Sequence, residues 1–347
     1  MKPLSRREFL RLAAAGSAGV GVSSLLAACG VEEELLTPTG LPTQLPTITS
    51  TTTPISTATQ NPTASPTDEP TATQTPVPIP DLVVARNGEP EELVRRALAA
   101  LGGMEKFVWK GADVIVKPNI CVGYRTYKYA ATTNPWVVGA IVKLCFEAGA
   151  KRVRVMDHTW RREMWEGYAK SGIQEQVQAA GGEMEWMPVE KFVPTPIPQG
   201  LDVTSLDLYE DVLNTDVLIN VPIAKHHADA RLTLGMKNLM GVMDDRLTMH
   251  TNMGQRLADL NSRVRPTLNI MDAVRMLMAY GPTGGALSDV KQMDTVIVSR
   301  DVVALDSYTA TLFDMQPTDL EYIKAATAMG LGRSDLNNLR IEEINIS

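Results

Sequence analysis

The 347-residue chain carries 33 Lys and Arg against 40 Asp and Glu, a net charge of −7, with 44% apolar residues. An acidic balance without a basic stripe argues against a nucleic-acid partner. Three cysteines, none in a CxxC pair, give no zinc or iron–sulfur spacing.

The chain opens on Lys2, Arg6, Arg7 and Arg11, followed by a weakly apolar run over 12–28 rich in Ala, Gly and Ser. That is the layout of a secretory signal. The run is too short and too diluted with glycine for a spanning helix, which needs about 20 strongly apolar residues. Ser5-Arg6-Arg7-Glu8-Phe9-Leu10 resembles the twin-arginine export motif. Leu26-Ala27-Ala28-Cys29 resembles a bacterial lipobox, which implies lipidation of Cys29. Residues 1–28 are therefore expected to be a signal peptide read by the twin-arginine export machinery. The remainder is expected to be lipid-anchored to the outer face of the cytoplasmic membrane in a bacterial envelope.

Residues 29–80 read as a tether. From Thr37 to Pro80, 25 of 44 residues are Thr or Pro. Such a stretch has too little apolar surface to build a core and is expected to be disordered. As a coil it would span roughly 40 Å, and as extended polyproline about 130 Å.

Residues 81–347 read as one α/β domain, a single mostly parallel sheet with helices on both faces. The apolar patterns predict strands over 82–86, 113–116, 152–156, 183–186, 216–220, 267–271, 295–299 and 339–346. They predict helices over 90–101, 135–148, 172–180, 232–240, 254–264, 302–313 and 320–329. Asn134 with Pro135, and Asp301, are the expected helix starts. The Pro-rich stretch 189–207 reads as a lid or a connection. Cys121 and Cys145 are expected to stay unpaired.

Ligands in open α/β sheets bind just outside the carboxyl ends of the strands. The residues at those ends are Lys117 and Asn119, Asp157 and His158, Lys225 with His226 and His227, Asp272, and Arg300 with Asp301. Lys237 and Asn238 sit inside an apolar stretch, where a charge needs a partner. Lys117, Asp157, Lys225, His226, Lys237 and Asp272 are the candidate catalytic residues. Asn119, His227, Asn238, Arg300 and Asp301 are the candidate substrate-binding residues. Gly281-Pro282-Thr283-Gly284-Gly285 suits a turn or a backbone cradle for an anion.

Several strings resemble the bacterial and archaeal family called domain of unknown function 362. They are Val114-Ile115-Val116-Lys117-Pro118-Asn119, Asn220-Val221-Pro222-Ile223-Ala224-Lys225-His226 and Leu234-Gly235-Met236-Lys237-Asn238-Leu239-Met240-Gly241. His250, Ile270-Met271-Asp272, Gly281-Pro282 and the run from Ser299 to Asp306 extend the likeness. The resemblance implies a fold and a site map more than a reaction. Many members carry an iron–sulfur module, which is not expected here because the chain has no cysteine cluster.

Two functions follow as expectations. One is an extracytoplasmic enzyme, dependent on a metal or another cofactor, acting on a small anionic substrate. Imidazole plus carboxylate leaves a divalent metal open as that cofactor. The alternative is a non-catalytic, tethered ligand-binding lipoprotein. A structural envelope protein would explain the anchor and tether but not Lys237 and Asn238.

Overall fold

The structure, a computed structural model, describes residues 78–159 and 164–346. The export signal, Cys29 and the tether as far as residue 77 lie outside the described residues.

The strands are β1 (Leu82–Arg86), β2 (Asp113–Pro118), β3 (Arg152–Val155), β4 (Glu183–Met184), β5 (Phe192–Pro196), β6 (Ser205–Tyr209), β7 (Val217–Val221), β8 (Ile223–His227), β9 (Arg231–Thr233), β10 (Leu268–Leu277), β11 (Val290–Ser299) and β12 (Ile341–Asn345). The helices are α1 (Pro90–Ala100), α2 (Pro135–Glu147), α3 (Met164–Lys170), α4 (Ile173–Ala179), α5 (Glu210–Asn214), α6 (Gly235–Asn238), α7 (Met253–Arg263), α8 (Val302–Thr311) and α9 (Glu321–Ala328).

The main sheet runs β12-β1-β11-β10-β7-β2-β3-β4, with β8 beside β10 and β9 beside β8. The block β10-β7-β2-β3-β4 is parallel. Only β11, against β1 and β10, and β9, against β8, run antiparallel. The expected mostly parallel α/β sheet is what forms. Val114, Ile115 and Val116 of β2, and Val217 to Val221 of β7, are buried along their whole length. Strands buried on both faces need cover on both faces. Two helical groups supply it: α1, α2 and α4 pack together, as do α6, α7, α8 and α9.

Local chemistry explains the helix ends. Asn134 accepts a hydrogen bond from Trp136 N, and Pro135 occupies the first turn of α2, where its missing N–H costs nothing. Asp301 caps α8 by accepting from Val303 N and Ala304 N.

The stretch 232–240, expected as one helix, instead ends β9 at Thr233 and then makes the short α6 and a 3-10 turn over Leu239–Val242. Thr233 pairs with Lys225 in the ladder, and the buried Asp306 fixes where the helix begins. The Pro-rich stretch 189–207 carries the β5/β6 hairpin, a separate two-stranded sheet. Cys121 and Cys145 are free thiols, and burial pushes the Cys145 thiol far up.

Candidate functional site

The site sits where the sheet parts. β2 pairs with β7 as far as Pro118 opposite Val221. Pro222, which has no N–H to give a ladder, separates β7 from β8, and β8 continues beside β10 and β9. Between the end of β2 and β8 lies a cavity of about 310 Å3. That volume suits a small molecule. Its walls include Lys117, Asn119, Asp157, Lys225, His227, Lys237 and Asn238, together with His158, Thr233, Arg246 and His250.

A ladder of buried amides forms the floor. Lys117, Asn220 and Asn269 are level across β2, β7 and β10. Asn220 Nδ2 donates to Asn269 Oδ1 at 3.1 Å, and Asn238 Nδ2 donates to Asn220 Oδ1 at 2.8 Å. The Asn238 carbonyl oxygen then accepts from Lys117 Nζ at 3.0 Å and from Asn119 Nδ2 at 2.9 Å.

The three buried lysines differ in what holds them. Lys117 Nζ meets Asp157 Oδ1 at 2.7 Å and also donates to Pro118 O and Asn238 Oδ1, both at 3.0 Å. Lys225 Nζ donates to Ala131 O at 2.7 Å, Asn119 Oδ1 at 2.9 Å and Pro282 O at 3.0 Å. An ammonium has three N–H groups, so Lys225 is saturated, while Lys117 has two hydrogen bonds and an ion pair. Lys237 is 7% exposed, and among the described residues its one hydrogen bond is to the Met240 thioether at 3.4 Å. A thioether is a weak acceptor, so Lys237 keeps its donors for the cavity.

Burial pulls all three ammonium groups below the ordinary lysine range. Asp157 works against this at Lys117. For Lys237, burial and then the charge of Lys225 bring the value down to about 8. Lys237 thus holds a sizeable neutral fraction near neutral pH.

Two histidines, His227 and His158, are held as neutral donors and acceptors. His227 Nδ1 accepts from Asp229 N at 3.1 Å and Ala230 N at 3.2 Å, which leaves the ring proton on Nε2. Burial, with the charge of Lys237 next, lowers its pKa to about 3. His158 Nδ1 donates to Met243 O at 3.3 Å, leaving Nε2 as an acceptor; burial and then Arg246 lower its pKa. Arg246 braces the wall by donating to His158 O at 2.8 Å and Thr159 O at 2.7 Å. Thr233 lines the cavity, and its Oγ1 is buried with no hydrogen-bond partner among the described residues. Lys225, His227 and Thr233 share one face of the β8/β9 ribbon, because Lys225 lies opposite Thr233 and side chains alternate along a strand.

Four sequence candidates lie elsewhere. His226 Nδ1 accepts from Gly281 N at 3.2 Å and ties β8 to the 281–283 loop, of which Pro282 and Thr283 reach the cavity wall. Asp272 is wholly buried beside the cavity's supports, accepting from Asn134 N at 2.6 Å and Val274 N at 3.0 Å. It lies mid-strand, because β10 runs on to Leu277. Arg300 and Asp301 follow β11, whose antiparallel course carries them away from the cavity edge. Ser299 already stands three strands from Lys117, roughly 14 Å by strand spacing. Arg300 sits over the Phe107 ring, and Asp301 is a helix cap.

Sequence reasoning missed Thr233 and Arg246 as cavity residues. Thr233 fell inside an expected helix, and Arg246 follows a polar turn with no periodic signal. Among the described residues, no group of three His, Cys, Asp or Glu side chains could hold a metal ion. Three lysines and an arginine around the cavity also oppose a dication.

Residues 114–311 match the family described as Domain of unknown function (DUF362). The chain belongs to this family. The matched segment contains every cavity residue, from Lys117 to Thr283. A thylakoid-associated protein of Synechocystis sp. is 27% identical over 256 residues, covering 69% of this chain and 74% of that relative. Two solved structures are distantly similar. One is the lactate racemase apoprotein of Thermoanaerobacterium thermosaccharolyticum, with a TM-score of 0.39 and 12% identity over 61% of this chain. The other is a Thermotoga maritima protein, with a TM-score of 0.38 and 12% identity over 70% of this chain. The matches span 53% and 60% of those two chains.

Proposed function

We propose that the cavity binds a small anionic substrate and that the protein acts on it as an enzyme through the Lys237 amine. The observation that carries this reading is the buried Lys237 ammonium, which among the described residues has no oxygen hydrogen-bond partner and feels the Asp229 carboxylate across the same cavity only as a minor charge. A buried charge in that state is costly unless something fills the role of partner. An anion in the cavity would supply it. Thr233 Oγ1 and His227 Nε2 add two donors with no acceptor among the described residues, and Lys225 and Arg246 add positive field. Lys117, Asp157, Asn119 and Asn238 form the rigid frame.

Calorimetry of the full chain with small carboxylates and inorganic phosphate tests this reading. Micromolar to millimolar binding, lost on Lys237→Met while the variant still folds cooperatively, is expected. Equal binding by wild type and variant would overturn it. Binding of a ligand that is never turned over would favour a tethered receptor instead.

The place of action is proposed as the outer face of the cytoplasmic membrane, through lipid on Cys29 after twin-arginine export. The Synechocystis relative is described as thylakoid-associated, and a membrane attachment of this chain is in keeping with that. Mass spectrometry of the native protein checks it: an acylated Cys29 at the mature N-terminus is expected, and an unprocessed Met1 would refute it.

A further inference from the structure

We infer that the Lys237 amine captures the carbonyl carbon of a 2-oxo carboxylate as an imine, with the substrate carboxylate held by Thr233 and His227. The inference rests on the anion-binding reading above and names the substrate class.

A lysine nucleophile needs an accessible lone pair. Lys225 spends all three N–H groups on fixed oxygen acceptors, and Lys117 gives two hydrogen bonds and keeps its charge against Asp157, so losing a proton would break a formed interaction at either. Lys237 loses only a contact to a thioether. Burial supports this, because with a value of about 8 roughly a tenth of the amine is neutral at pH 7. An exposed lysine holds a few hundredfold less.

The other groups select what the amine meets. Thr233 Oγ1 is 4% exposed at the residue level and unpartnered, and His227 presents Nε2–H because its Nδ1 is held by two backbone N–H groups. Two neutral donors match the two oxygens of a carboxylate better than the three of a phosphate. Lys237 lines the same cavity as Thr233 and His227, and its charge bears on the His227 imidazole, so a carbonyl one bond from that carboxylate is the group offered to the lysine.

The step balances without an external oxidant or reductant. The protonated amine and the ketone give a protonated imine and one water: the C–N bond forms, the carbonyl C–O bond breaks, and its oxygen leaves as water. The proton released on attack and the one taken up on dehydration pass through water in the open cavity. The product cation occupies the place of the ammonium it replaces.

The test treats the full chain with pyruvate and sodium borohydride and maps the reduced adduct. Calorimetry with oxamate, a similar anion with no ketone, runs in parallel. Trapping at Lys237 more than about tenfold above any other lysine is expected. Lys237→Arg, which keeps the charge, should bind oxamate and lose the adduct. Oxamate binding with trapping spread over exposed lysines would overturn the imine and leave anion binding intact. Absence of both binding and trapping would overturn both readings.

Discussion

Lys117 Nζ and Asp157 Oδ1 meet at 2.7 Å with side chains 1% and 4% exposed, and Gly241 is what lets them meet. A methyl group on Gly241 would collide with Asp157 Oδ1 and come within 2.6 Å of Lys117 Nζ. Gly241→Ala is therefore expected to part the pair. Asp157→Asn should do the same by leaving a buried ammonium without its counter-charge, a loss of about 3–5 kcal/mol. Urea denaturation of both variants checks this. A midpoint unchanged from wild type in Asp157→Asn would show that the pair contributes nothing.

Lys237 predicts a stability that rises in alkali. Its folded value of about 8 lies below the ordinary 10.5, so between those values the unfolded chain binds the extra proton. The burial penalty is complete below pH 8 and fades as pH climbs from 8 to 10.5. It amounts to about 3 kcal/mol. Lys237→Met should be more stable than wild type at pH 7, with the gap closing by pH 10. Paired melts across that range measure the gap, and a constant difference would rule out the titration of Lys237 as its cause.

Asp306 and Asp272 act in the opposite sense. Burial, opposed by backbone N–H donors, raises each from 3.8 to about 7. The stability each gives below its unfolded value is lost as pH rises from about 4 to 7. Asp306→Asn should lose less stability than wild type between pH 5 and pH 8 in denaturant titrations. Identical losses would show that Asp306 is ionised throughout. Asp306 accepts from Gly235 N at 2.6 Å and Met236 N at 2.9 Å, so Asp306→Ala would also free the turn that carries Lys237.

Thr233→Val separates binding from folding. The hydroxyl is buried without a partner, and the swap keeps the β-branched shape. Stability should hold or rise by about 1 kcal/mol, while affinity for a carboxylate falls roughly tenfold, the loss of one hydrogen bond. A fall in melting temperature with affinity unchanged would place the hydroxyl in the frame, not the site.

Much of this was legible in the sequence. Unbroken Val/Ile runs gave β2 and β7, and Asn134-Pro135 gave the start of α2. Lys117, Asn119 and Lys225 stood out because they follow or end apolar strands. What stayed hidden depended on distant residues. Asp306, some 70 residues along the chain, decides where α6 starts and so leaves Thr233 in a strand. Apolar spacing does not reveal strand direction, and direction alone removes Arg300 and Asp301 from the cavity. Nor does it separate three buried lysines by their acceptors, which lie on four different segments.

The described chain enters its sheet at β1, which is bonded to β11 on one side and β12 on the other. Just before it, Asp81 binds Arg333 Nη2 at 2.7 Å and accepts from Arg340 N at 2.9 Å. A mechanical pull arriving along the preceding residues would load an interior strand braced by the chain's own carboxyl-terminal segment. It could not peel a free edge. Deleting β12 should therefore weaken the domain against tension from its amino end before it alters the distant lysine cavity.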